Sequence, residues 1–177
     1  GVYLYTEDNE KYLDFYNNVA SLGHCHPRVC EATARQLNTL ATNTRYLHEG
    51  ILETSQQLLS HFPQELDRVV YACTGSEAND LAMRFASLNT GGEGVIVSTY
   101  AYHGTTSLMA GMSPNLGLKV PLSPGVRRVP PPCLDDPHAV ETFTADVEHA
   151  MDDLERHGIK IAAFMFDRLF TSDGVFP

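Results

Sequence analysis

Residues 69–86 read Val69-Val70-Tyr71-Ala72-Cys73-Thr74-Gly75-Ser76-Glu77-Ala78-Asn79-Asp80-Leu81-Ala82-Met83-Arg84-Phe85-Ala86. A short apolar run of β-branched and aromatic residues breaks at Thr74-Gly75-Ser76, then apolar positions resume at Ala78, Leu81, Ala82, Phe85 and Ala86. That pattern predicts strand, tight turn and helix. Ser76 is the expected N-cap, and Glu77 and Asp80 put negative charge in the first turn, where exposed amides and the helix dipole favour it. The N–H groups of Gly75 and Ser76, with the hydroxyls of Thr74 and Ser76, can form a cup for an anion such as a phosphate. The plain alternative is a capped turn that binds nothing.

Outward from this stretch, strands alternate with helices. Residues 2–5 and 11–15 form an expected hairpin around the turn at 7–10, followed by an irregular segment that ends at Pro27, a residue suited to the first helical position. Helices are expected over 27–40 and from about Ile51 to Pro63. Beyond the central stretch come a buried strand at 94–99, a loop and short helix through Ala110, and a Gly/Pro-rich region over 111–137 with a short strand at 127–129. Thr144 is the expected N-cap of a helix reaching His157 with Gly158 as its stop, and 161–166 reads as a parallel strand covered on both faces. The fold class is therefore α/β, a mainly parallel sheet flanked by helices and preceded by a small hairpin. The expected division is a hairpin and irregular segment at 1–26 and one larger domain at 27–177.

The chain has 177 residues, 43% of them hydrophobic, enough for one sizeable core. A net charge of -10 argues against nucleic acid or an anionic membrane as partner. No apolar run approaches the roughly 20 residues of a membrane span. Residues 1–8 carry no secretion signal, and Cys25, Cys30, Cys73 and Cys133 are scattered as reduced thiols would be, so a cytoplasmic setting is expected. Both ends look cut, the first inside a strand and the last directly after one.

In parallel sheets, ligands sit outside the carboxyl ends of the strands. Thr74-Gly75-Ser76, the loop from Tyr100 to Gly104, and Asp167 are all expected at such ends. An anion cup, an aromatic-histidine-glycine loop and a carboxylate together suit a flat, phosphorylated aromatic cofactor, with pyridoxal 5'-phosphate the obvious candidate. Tyr102 would stack on its ring or serve as a core aromatic; His103 would hydrogen-bond near it or cap a turn; Asp167 would face its polar edge or pair with Arg168. His24, Cys25, His26 and Cys30 lack the second ligand pair of a structural zinc site, so no metal is expected. No cysteine stands in an electropositive setting that would make it a nucleophile.

These residues resemble the class III aminotransferase family, pyridoxal-phosphate enzymes of fold type I. Four ordered motifs carry the resemblance: Gly1-Val2-Tyr3-Leu4-Tyr5 with Tyr12-Leu13-Asp14-Phe15, Gly23-His24-Cys25-His26-Pro27, Thr74-Gly75-Ser76-Glu77-Ala78-Asn79, and Tyr102-His103-Gly104. The resemblance implies that Gly75 and Ser76 hold the cofactor phosphate, Tyr102 stacks on the pyridine, His103 completes the loop, and Asp167 replaces a glutamate beside the ring. It implies a homodimer with sites near the subunit interface, small-molecule amine and keto-acid substrates, and a transaminase. Residues 17–20 and 42–49 look most like the phospho-lyase branch, making Asn18, Arg45 and His48 candidate substrate contacts; Arg45 could bind a substrate phosphate or pair with Glu49 or Glu53.

Two departures stand out. The family's Glu-Pro opening is here Asp167-Arg168, and the only lysines, Lys11, Lys119 and Lys160, fall away from the expected site. The Schiff-base lysine and the ring-nitrogen aspartate are expected beyond Pro177, so these residues by themselves are not expected to turn over substrate. Alternatives to the transaminase are a phospho-lyase acting on a phosphorylated amino alcohol or amino acid, and a non-catalytic binding module on the same scaffold.

Overall fold

The computed structural model describes residues 1–16, 21–133 and 135–174. The chain divides into two compact units, Gly1–Val69 and Val70–Pro177.

In the first unit, β1 (Tyr3–Tyr5) and β2 (Lys11–Leu13) pair antiparallel with Leu4 opposite Tyr12. Their turn closes where the Asn9 amide donates to the Thr6 carbonyl and the Glu10 amide to Thr6 Oγ1. Two helices follow, α1 (Pro27–Thr39), with proline at its start, and α2 (Glu49–Leu59). Helix α1 starts at the expected proline, whereas α2 starts at Glu49, two residues before Ile51, behind the His48 cap; no described residue of this unit is buried.

The second unit is built on a three-stranded parallel sheet with order β4-β3-β5: β3 is Gly94–Ser98, β4 Val126–Val129 and β5 Ile161–Met165. Helix α3 (Gly75–Thr90) precedes β3; α4 (Ser107–Ala110) and a short 3-10 turn lie between β3 and β4; α5 (Ala139–Arg156) precedes β5. Strand β3 is buried throughout, and its alternation sorts the core. Val95 and Val97 pack with Met83 of α3 and with Met109 and Met112, while Ile96 packs with Val129 and with Ala150 and Leu154 of α5. The α/β class with a leading hairpin is therefore as the sequence predicts.

Three local expectations are corrected. Residues 69–72 form no strand, and Val70 and Tyr71 are exposed. β-branched composition favours an extended chain, but a strand needs a ladder partner. Helix α5 starts at Ala139, five residues before Thr144, whose hydroxyl instead donates to the Val140 carbonyl inside the helix. Asp136 starts it, accepting from the His138 amide and the Thr142 hydroxyl. Finally, β5 is an edge strand, only partly covered, with Phe164 exposed.

Candidate functional site

The motif at 74–80 assigns almost every polar side chain a definite bond. Thr74, not Ser76, caps α3: its Oγ1 accepts from the Glu77 amide at 3.1 Å, while Glu77 Oε2 accepts from the Cys73 amide at 2.9 Å. Ser76 lies inside the helix, and its Oγ accepts from the Thr105 amide at 3.1 Å. Asn79 Nδ2 donates to the His103 carbonyl at 2.8 Å, and Asp80 Oδ1 accepts from the Thr106 hydroxyl at 2.7 Å. Thr106 in turn caps α4. The start of α3 is thus riveted to the 103–106 loop that follows β3.

Gly104 makes the close approach possible. Its φ of +138° is a conformation that side chains rarely adopt, and a Cβ there would lie 2.9 Å from Ser76 Cα. From below, the buried Ser113 hydroxyl accepts from the His103 amide at 2.9 Å and donates to the Met109 carbonyl at 2.7 Å.

Two donors at the start of α3 have no acceptor among the described residues. They are the amides of Gly75 and Ser76, whereas the Ala78 amide already bonds the Thr74 carbonyl. A Cβ on Gly75 would meet nothing within 4 Å, so the space before these amides is open. Because Ser76 Oγ accepts from Thr105, its hydroxyl proton is still available to an acceptor. The geometry is that of an anion cup at a helix N-terminus.

The remaining predicted residues of this unit lie at the same sheet edge. Tyr102 is half exposed, which leaves its ring available to a planar ligand. His103 is buried, and its Nε2 has no hydrogen-bond partner among the described residues. Burial pushes its pKa below the usual histidine range; the Asp167 carboxylate, a bond to the Met165 backbone and the Asp173 carboxylate pull it the other way. Asp167 follows β5 and does not pair with Arg168. Its oxygens accept from the Leu169 and Thr171 amides at 3.0 Å, so it organises its own loop. Asp173, which the sequence reading did not single out, accepts from the Ser98 hydroxyl and the Tyr100 amide at 2.5 and 2.7 Å.

In Gly1–Val69, His48 caps α2, its Nδ1 accepting from the Gly50 amide at 3.1 Å, and it lines a groove with Leu40, Asn43 and Ile51. Arg45 is exposed and forms no ion pair with Glu49 or Glu53. Asn18 lies outside the described residues. His24 bonds Asp14 at 2.7 Å. Lys11 sits 3.7 Å above the Tyr3 ring. Lys160 precedes β5, and its carbonyl accepts from the Glu93 and Gly94 amides, at the end of the sheet opposite the cup.

The family description Aminotransferase class-III matches residues 1–177. An alanine–glyoxylate aminotransferase 2-like protein of Drosophila melanogaster is 42% identical over 114 residues, covering 64% of this chain and 23% of its own. An ethanolamine-phosphate phospho-lyase homolog of Caenorhabditis elegans is 43% identical over 112 residues, covering 63% and 24%. Among solved structures, a phospholyase from Arthrobacter in complex with phosphoethanolamine superposes with a TM-score of 0.88 at 39% identity, over 96% of this chain and 42% of that one. The taurine:2-oxoglutarate aminotransferase of Bifidobacterium kashiwanohense, in complex with PLP and glutamate, gives 0.78 at 20% identity over 100% and 43%, a likeness of fold. The match spans about a quarter of the length of these curated relatives.

Proposed function

The chain belongs to the class-III aminotransferase family, and on that premise we propose that it carries the phosphate-gripping part of a pyridoxal 5'-phosphate site in an enzyme that moves an amino group between an amine donor and a keto acid. The carrying observation is the pair of unpartnered amides at Gly75 and Ser76, facing open space at the N-terminus of a 16-residue helix. Two N–H donors, one available hydroxyl proton, a half-exposed aromatic ring and an unpaired buried imidazole nitrogen fit a phosphorylated heteroaromatic.

When bound, the cofactor supplies an electron-poor ring that stabilises negative charge at the carbon bearing the substrate amine. The chain's residues bind and orient. Gly75 and Ser76 would donate to phosphate oxygens, where the helix dipole would add to each bond. Tyr102 would cover one ring face and exclude water from it. His103, whose pKa burial lowers, would lie close to the ring, and Asp167 would add negative potential at its polar edge. Arg45, His48 and Asn18 remain the proposed substrate contacts. Lys160 stands at the far end of the sheet and Lys11 is engaged by Tyr3, so we assign neither to the cofactor and propose that these 177 residues do not turn over by themselves.

A second reading, elimination of phosphate from a phosphorylated amine, is favoured by one observation. The phospholyase structure is 39% identical to this chain and the taurine aminotransferase 20%. Incubating the protein that carries this chain with phosphoethanolamine separates the two: phosphate released with no keto acid present overturns the transaminase reading. For the cofactor itself, titration with pyridoxal phosphate is expected to show saturable binding, weakened about tenfold by Ser76→Ala, the loss of one charge-assisted bond. Binding unchanged in that variant would remove the cup from the site.

Homodimer assembly is proposed from the bare apolar groups of the first unit, Phe15, Tyr16 and Leu47, each more than 90% exposed. A cytoplasmic setting is proposed from four cysteines without disulfides. Light scattering and cell fractionation test them.

A further inference from the structure

The segment after β5 is built to present one carboxylate. Asp167 collects the Leu169 and Thr171 amides, and Phe170 takes a left-handed φ of +48°. The Phe170 ring packs against Phe166 and Phe143, at 5.6 and 6.3 Å between centroids. Its carbonyl then accepts from the amides of Asp173 and Gly174. A non-glycine residue held at positive φ by ring packing and local bonds marks a turn fixed by its surroundings. What that turn delivers is Asp173, whose two oxygens bridge the Ser98 hydroxyl and the Tyr100 amide.

Ser98 ends β3 and is only 2% exposed, so one side of the bridge is anchored in the core. The other side fixes the backbone two residues before Tyr102. At its far end the same loop is held by Ser76 and Asn79, through Thr105 and His103. Remove Asp173, and the side-chain tie at Tyr100 is lost, leaving that end held by the Ala101 bonds to Ser98 and Asn115. We propose that Asp173 is a positioning residue, a latch from the β5 exit that sets the loop presenting Tyr102 and His103. The latch is a statement about this chain; its consequence for ligand binding rests on the cofactor reading above.

The chain contains no tryptophan, so Tyr102→Trp provides a single fluorescent reporter on the loop. In the full chain, Asp173→Ala is expected to speed hydrogen exchange of the Tyr100 amide about tenfold or more and to lower the anisotropy of the reporter. Asp173→Asn keeps an acceptor for Tyr100 and should restore most of both. Ser98→Ala, which frees the anchor but spares the Tyr100 bond, should accelerate exchange by less and serves where Asp173→Ala does not fold. Equal Tyr100 exchange in the parent, Asp173→Ala and Ser98→Ala, with far-ultraviolet dichroism intact, overturns the latch.

Adding pyridoxal phosphate separates the two ideas. Weaker quenching of the reporter in Asp173→Ala, recovered in Asp173→Asn, supports positioning toward the ligand; equal quenching in all three overturns it. If the parent reporter is not quenched, the cofactor reading fails, and the latch still stands or falls on exchange.

Discussion

The two units of this chain use the same vocabulary to different ends. Val70–Pro177 buries both faces of β3, with α3 and α4 residues over Val95 and Val97 and α5 residues over Ile96. Gly1–Val69 has a hairpin, two capped or proline-started helices and well-formed turns, but among its described residues none is buried. Leu22, Leu37 and Leu52 are all more than half exposed. Local signals are enough to place a helix; they do not tell where its apolar stripe is satisfied. The difference teaches that the described apolar residues of the first unit are not gathered into a buried core, though turns, caps and the Gly1–His24 bonds fix its segments.

The largest test of that contrast is a pair of truncations. Leu154, fully buried between α5 and the sheet, should lose about 2–5 kcal/mol of stability as Leu154→Ala. Leu52→Ala on α2, where the side chain is 52% exposed, should change stability by about 0.5 kcal/mol or less. Denaturant unfolding reads both. Equal losses would break the contrast, and would mean that Leu52 is covered in solution.

Within the second unit, the next effect in size belongs to the joint between α3 and the loop after β3. Gly104→Ala places a Cβ 2.8 Å from Ser76 Cβ and 2.9 Å from its Cα, at a φ of +138°. Neither partner atom can swing away, so a loss of about 1–3 kcal/mol is expected, with weaker binding of pyridoxal phosphate. Smaller again is the cap. Thr74→Ala should lower stability by about 1 kcal/mol, and Thr74→Ser should restore it. If the alanine variant melts like the parent, the Glu77 bond to the Cys73 amide carries that terminus instead.

Much of the second unit was legible because its signals are local and periodic. The buried β3 run, the Gly158 stop and the sheet edge shared by residues 100–104 and 167 follow from chain order and a parallel sheet, whereas 74–76 were expected there after a strand that does not form. Thr74 was legible too: Thr74-x-x-Glu77 is the capping-box spacing, and the glycine between them drew attention to Ser76 instead. Residues 69–72 misled because extended propensity was read as pairing. The partners of Ser76, Asn79, Asp80 and Asp173 were out of reach, since each bond joins residues 24 to 75 positions apart. In the first unit, Arg45 and His48 carried no comparable signal, because exposed loop side chains are not constrained by packing.

The finest distinction between the units is a titration, because a histidine can report burial only where there is a core. His103 has a pKa lowered by desolvation, so on unfolding it becomes the better proton acceptor. Above its unfolded value of about 6.5 both states are neutral, and the group adds no pH dependence. As pH falls below that value the unfolded chain binds the proton first, and stability declines until the folded-state pKa is passed. His103→Asn should therefore flatten the fall in stability on the acid side of pH 6.5. The comparison is read from unfolding midpoints between about pH 5 and 7, where carboxylates contribute least. A slope unaltered by His103→Asn would mean that water reaches the imidazole, and that the loop carrying Tyr102 is looser than its bonds to α3 indicate.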